Sequence, residues 1–391
     1  MSVVAAPTKR SGDWLTEPGF GIYVHIPFCA HRCHYCDFNT YEGQDALHRP
    51  YVDALIADIH GSAVVARPAT SVFFGGGTPT LLPPGDLALI LDAVRTTVGI
   101  APDAEITVEA NPETVDEAYF EALLIAGFNR VSLGIQSLAP GVLAALGRTH
   151  SATRGLDALA AARSAGFADV NADLIYGSPW EKDGDWHRSL EGVIAAGPQH
   201  VSAYALTVEA GTPLATMVAT GRVPDVDPDV QADRHVVADA VLGAAGYERY
   251  EISNWAKPGH ACAHNLVYWC AGDYLGFGAG AHGHLDGTRY WNTRLPRDFI
   301  AAVTSGATTR AGEEHLHNDE RAGEALMLGL RLSSGVDLVA FEARFGRPSI
   351  ETRRLRIEAL ITSGLVELAD RHLRLTARGT MLANEVQSAV L

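Results

Sequence analysis

A partial (β/α) barrel of six repeats, followed by a small helical domain, is the fold the sequence predicts, and three observations carry that prediction. From Gly21 to about Leu206, short β-branched or apolar runs alternate with longer alanine- and leucine-rich segments of helical period. The residues after each run are polar or glycine-rich, as expected where the C-terminal ends of barrel strands gather round a ligand. Directly after the first run stand Cys29, Cys33 and Cys36, separated by three and then two residues.

In chain order, strands are predicted at residues 22–26, 72–74, 105–109, 130–135, 169–175 and 200–206, and helices at 50–65, 86–98, 116–126, 151–165 and 185–196. Asp86, Asp116 and Ser151 are the expected N-caps, and Gly127, Gly166 and Gly197 follow helix ends, where a left-handed residue closes the last turn. Past the barrel, a helix is expected at 229–245 and a strand at 247–253. Residues 272–284, interrupted by Gly276, Gly278, Gly280 and Gly283, read as a loop. Beyond about Arg310 come helices at 318–330, 338–345 and 350–362, then short strands at 365–368 and 372–376 and a last helix, the pattern of a winged-helix-like domain. Its would-be recognition helix is not strongly basic, which favours a packing module over a DNA reader. The expected division is a tail at 1–20, the barrel at 21–230, a post-barrel segment at 231–309 and the C-terminal domain at 310–391.

Composition narrows the function. The 391 residues are 47% hydrophobic, enough for a large core and a second domain. A net charge of −16, from 46 acidic against 30 basic residues, lacks the electropositive footprint that phosphates require, so no nucleic-acid partner is expected. Residues 1–19 contain no apolar signal-peptide core, and no later stretch is long enough to span a bilayer. With five cysteines, three of them within eight residues, a reducing cytoplasmic setting fits better than a disulfide framework. Cys262 and Cys270 read as small buried hydrophobes.

The cysteine spacing points to a [4Fe–4S] cluster, each thiolate holding one iron and the fourth iron keeping an open position. A zinc site completed by His31 or His34 is the competing reading, although zinc ligands usually come as two separated pairs. After the second strand, Gly75, Gly76, Gly77 and Thr78 let backbone approach a ligand closely and offer it amides and carbonyls. At later strand ends, Glu109, Gln136 and Asp173 could accept ribose hydroxyls. His264, His282 and His284 lie close in sequence, and imidazole is a common haem ligand.

The cysteine loop, the stretch Gly75 to Thr80 and the βα repeat together resemble the radical S-adenosylmethionine (SAM) superfamily. Within it, Tyr23 to Cys29, Ser132 to Gln136 and Asp173 to Gly177 resemble motifs of the oxygen-independent coproporphyrinogen III oxidase group. The resemblance implies that SAM chelates the open iron and is contacted by Tyr23, Tyr35, Gly76, Gly77, Thr78, Glu109, Gln136, Arg148 and Asp173. Of two subgroups, the decarboxylating dehydrogenase carries a further cysteine where Phe38 stands, and a longer segment before the first strand than the twenty or so residues here. HemW-type haem chaperones instead end the loop in Cys-Asp-Phe and carry His-Asn-x-x-Tyr-Trp, here His264 to Trp269. The chain therefore resembles the chaperones. That implies haem as cargo, a haem-accepting partner that could sit at a membrane, and no conversion of coproporphyrinogen. His264 is the preferred haem ligand, with His282 and His284 as alternatives.

Overall fold

Six parallel strands form the centre of one twelve-stranded sheet: β1 (Phe20–Ile26), β2 (Ala69–Gly76), β3 (Ile100–Ala110), β4 (Arg130–Gln136), β5 (Asp169–Tyr176) and β6 (His200–Ala205). The computed structural model describes residues 18–62, 67–182 and 184–391. The predicted tail lies almost wholly outside these residues, and the helix expected at 50–65 instead runs over His48–His60 and is capped at Gly61.

Alternation along each strand sorts the side chains. Ile22, Val24, Val72, Phe74, Val108, Val131, Leu133, Val170 and Val201 point outward into one hydrophobic core under the helices. Each such fully buried branched side chain contributes roughly 1.5–3 kcal/mol. The opposite face is polar. Tyr23 and His25, Glu105 and Glu109, Arg130 and Ser132, Asn171 and Asp173, and His200 and Ser202 all look into the barrel, held level by parallel registers such as Arg130 opposite Asp169 and Ser71 opposite Glu105.

Helix ends follow the expected chemistry in most places. Asp116 and Ser151 accept the backbone N–H groups of Tyr119 and Arg154, and Gly127, Gly166 and Gly197 adopt left-handed φ of 104°, 110° and 72°. Asp86 does not cap: its helix begins at Pro84, where the fixed φ of proline suits the first turn, and Asp86 pairs with Arg49 at 2.8 Å.

The sheet runs past the six repeats on both sides. A hairpin of β7 (Glu248–Glu251) and β8 (Asn254–Ala256) replaces the single strand expected at 247–253 and lies antiparallel to β6. On the other side, β9 (Asp273–Phe277) pairs parallel to β1, and β10 (His282–Leu285), β11 (Thr288–Asn292) and β12 (Arg310–His315) continue antiparallel. This corrects the loop expected at 272–284. Its glycines serve close approach within the sheet: a Cβ at Gly276 would stand 1.9 Å from the His282 carbonyl oxygen, and one at Gly278 2.5 Å from the Tyr51 hydroxyl.

The C-terminal region has its own core, built on Leu326, Phe341, Val366 and Val386, and a three-stranded sheet of β13 (Val336–Asp337), β15 (His372–Leu375) and β14 (Val366–Ala369) in that order. Buried Arg353 ties it together, donating to the Val390 carbonyl at 2.9 Å and to Asp319 Oδ1 at 2.7 Å. The segment expected as one helix at 350–362 breaks there into Pro348–Glu351 and Arg354–Thr362.

Candidate functional site

The cysteine loop leaves β1 at Ile26 and is fastened to the glycine run after β2. Gly77 N–H donates to the Ile26 carbonyl at 2.8 Å, and Thr78 N–H to the Phe28 carbonyl at 2.7 Å. Gly76 N–H donates to Glu109 Oε2 at 3.0 Å. The sequence reading that these amides serve a ligand is thereby corrected, because all three are spent within the protein. Glycine is needed for contact instead: a Cβ at Gly77 would lie 2.4 Å from the Phe28 carbonyl oxygen, and one at Gly76 2.4 Å from the His25 ring.

A cavity of about 350 Å³ opens at the C-terminal strand ends, lined by Cys29, Cys33 and Cys36. Of the residues expected to contact SAM, Tyr35, Gly76, Gly77, Thr78, Glu109, Gln136, Arg148 and Asp173 all line it. Tyr23 lines a neighbouring cavity that shares Gly76 and Glu109 with the first. Gln136 holds φ at +63°, unusual for a residue with a side chain and typical of strained functional positions.

Three thiols at one cavity mouth fit the cluster that the family resemblance implies. Each sulfur has its own polar neighbour: Thr78 Oγ1 at 3.8 Å from Cys29, Thr40 Oγ1 at 3.9 Å from Cys36, and Arg148 Nη1 at 3.4 Å from Cys33. Among the described residues, no three His, Cys, Asp or Glu side chains converge as one ion would require. The histidines of the zinc reading use Nδ1, His34 on the Ala145 carbonyl at 3.0 Å and His31 beside Glu42 at 3.6 Å, as metal-ligating imidazoles also do. Burial pushes the Cys29 thiol up to about 11, so holding it as thiolate calls for nearby metal charge.

The far wall of the cavity is acidic. Burial, and then the charge of Asp173, raise Glu109 to about 8, while burial raises Asp173 against hydrogen bonds from Ser132, Ser202 and Asn171. Two carboxyls held up by desolvation favour a cationic guest, which a sulfonium is. Arg148 spans the near wall, donating to Asn111 Oδ1 at 2.6 Å and the Gly134 carbonyl at 3.0 Å, and its Nε is buried without a protein partner.

His264 has another position. It lies 1% exposed on the short helix Ala263–Trp269, which seals the opposite end of the barrel. Glu105 Oε1 and Oε2 accept the N–H groups of His264 and Ala263 at 3.1 and 2.8 Å, and Cys262 Sγ lies 3.2 Å from Glu105 Oε1. The His264 ring bonds Ser71 Oγ through Nδ1 and the Tyr268 hydroxyl through Nε2, both at 2.9 Å, and stacks on Phe73. The expectation of His264 as haem ligand is corrected: both ring nitrogens are used inside a packed floor.

Two lining residues were not singled out as contacts from the sequence. Asn111 joins Thr78 Oγ1, at 2.9 Å from its Nδ2, to Arg148, and Ser132 Oγ donates to Asp173 Oδ2 at 2.8 Å. The signal for Ser132 was available, since it alternates with buried Val131 and Leu133 on the polar face of β4. For Asn111, which follows its strand, no periodicity exists to read.

Fold and site together define a radical SAM protein. Residues 23–192 match the model of the Radical SAM superfamily, and residues 316–382 that of the HemN C-terminal domain. The chain is 45% identical to the heme chaperone HemW of Mycobacterium tuberculosis over 95% of both chains, and 36% identical to that of Escherichia coli over 94% of this chain and 97% of the other. It belongs to the family of these HemW proteins. A mitochondrial radical S-adenosyl methionine domain-containing protein 1 from Bos taurus is 40% identical over 79% of this chain and 67% of the other. Among solved structures, coproporphyrinogen III oxidase (HemN) of E. coli superposes with a TM-score of 0.81 over 96% of this chain and 90% of the other; at 23% identity this likeness concerns the fold.

Proposed function

We propose that this chain is a haem chaperone of the cytoplasm, binding haem and passing it to an acceptor protein that could sit at a membrane. Cys29, Cys33 and Cys36 hold one [4Fe–4S] cluster whose fourth iron receives exchangeable SAM. The observation that carries the reading is the 45% identity, over 95% of both chains, to a protein named heme chaperone HemW. When bound, the cluster supplies an open iron for the amino and carboxylate groups of SAM. The chain's own residues do the rest: Arg148 sets a positive charge beside Cys33, Glu109 and Asp173 offer carboxyls to the cationic and polar parts of SAM, and Tyr35, Gly76, Gly77, Thr78 and Gln136 shape the wall.

Oxidative decarboxylation of coproporphyrinogen III is the alternative this fold raises. Phe38, 63% exposed beside the cysteine loop, stands where that subgroup carries a further cysteine, and this disfavours it. Both readings meet in one experiment. Anaerobically reconstituted protein is given ferric haem and then an apo-haem protein, and separately coproporphyrinogen III with SAM and a reductant. Haem uptake followed by its appearance in the acceptor is expected. Failure to bind haem, or steady formation of protoporphyrinogen, overturns the chaperone reading.

A further inference from the structure

The cavity beside the cluster site, about 480 Å³, is walled by Tyr23, Tyr268, Tyr274 and Trp291, with His282 and Arg294 at its side. Haem asks for flat apolar or aromatic walls, an imidazole or thiolate for iron, and cations for its propionates. All three chemistries meet here, on strands β1, β9, β10 and β11, the helix Ala263–Trp269 and the residues just past β11.

Other ligands in reach are committed. His25 uses Nδ1 on the Tyr23 hydroxyl and Nε2 on the Asn39 carbonyl, both at 2.9 Å. His284, two residues along β10, turns to a different cavity and pairs with Asp273 at 3.2 Å. Cys262 and Cys270 are buried elsewhere. His282 is different: its ring stacks on Trp291 with centroids 6.1 Å apart, and among the described residues its ring nitrogens make no hydrogen bond. Burial and the charges of Arg289 and Arg294 lower its pKa, keeping the imidazole in its neutral, ligating form.

We propose that this aromatic cavity is the haem site, with His282 as axial ligand to the iron and Arg294 at the propionate end. The assignment rests on the chaperone reading and adds its location. Phe38, Gly76 and Glu109 line both cavities, so haem would sit one wall away from the cluster and SAM.

The test titrates ferric haem into the full, cluster-loaded chain and follows absorption, electron paramagnetic resonance and resonance Raman spectra. His282→Ala is expected to lose the imidazole-ligated signature and to weaken binding by at least about tenfold, with added imidazole restoring the signature. His282→Tyr should replace it with a phenolate charge-transfer band, and Arg294→Ala should weaken binding while keeping the parent spectral type. A His282→Ala protein with parent affinity and spectrum overturns this site and leaves the chaperone reading standing. A parent chain that binds no haem brings both down.

Discussion

Arg148 holds Nη1 3.4 Å from the sulfur of Cys33 while its Nη2 bonds Asn111 at 2.6 Å, so one guanidinium both faces the cysteine loop and braces the cavity wall. A positive charge there favours the reduced, more negative state of a cluster. Arg148→Ala should therefore incorporate iron yet show a more negative midpoint in a potentiometric titration. It should also lose about 1–3 kcal/mol of stability, because Asn111 and the Gly134 carbonyl are left unpartnered. An unchanged midpoint would remove Arg148 from the electrostatics of the cluster.

Glu109 makes stability depend on pH with a defined sign. Its carboxyl titrates near 8 in the folded chain against an ordinary 4.5. Between those values the folded state holds a proton that the unfolded state has released, so the contribution of this group is complete below about 4.5 and is lost as pH rises through about 8. Urea unfolding from pH 5 to 9 should show a decline in the parent that is shallower in Glu109→Gln. Equal slopes would place the titration elsewhere.

SAM binding should show the same group from the other side. A cationic ligand prefers the ionised carboxyl, so affinity measured calorimetrically on anaerobic protein should increase as pH rises through about 8. Glu109→Gln should flatten that rise.

Glu105 is expected to be among the most sensitive positions outside the cavity. It accepts from Ala263 and His264 and lies 4.0 Å from the buried Arg130. Glu105→Ala strands that arginine and uncaps the helix, and should cost about 3–5 kcal/mol in denaturant titration, whereas Glu105→Gln keeps the acceptor oxygen and should cost less.

His264→Ala should separate structure from ligation. Removing a packed ring and two hydrogen bonds is expected to cost about 2–4 kcal/mol. The haem spectrum of the remaining folded protein should match the parent; a lost imidazole signature in this variant would return His264 to the iron.

Much of the barrel was legible because its two strand faces differ in chemistry. Apolar Ile22, Val72 and Val131 face the helices and fix strand phase, and Gly76, Gly77, Thr78, Glu109 and Gln136 fall at or just past strand ends, whereas Tyr35 and Arg148 come from the segments that follow β1 and β4. Legibility stopped where residues act through close approach rather than pattern. Gly276 and Gly278 punctuate a sequence as loop residues do, yet they let β9 pass beside backbone and a tyrosine. Arg353 interrupts a helical pattern to serve a carbonyl and a carboxylate from distant segments, which no local window contains. His264 misled for a related reason: residue type advertises ligation, whereas Ser71, 193 positions away in sequence, and Tyr268 take its two ring nitrogens.

The floor of the barrel bears on how the chain is made. Glu105, Asp169 and His200 gain part of their partners only when Ala263, His260 and Tyr250 have been synthesised. A ribosome-bound chain holding all six central strands therefore still has an open lower mouth, with Asp169 lacking His260 and Glu105 lacking the helix N–H groups it accepts. A gene fragment cut after residue 230 would freeze the chain at that stage, leaving a wet barrel in place of an independent folding unit.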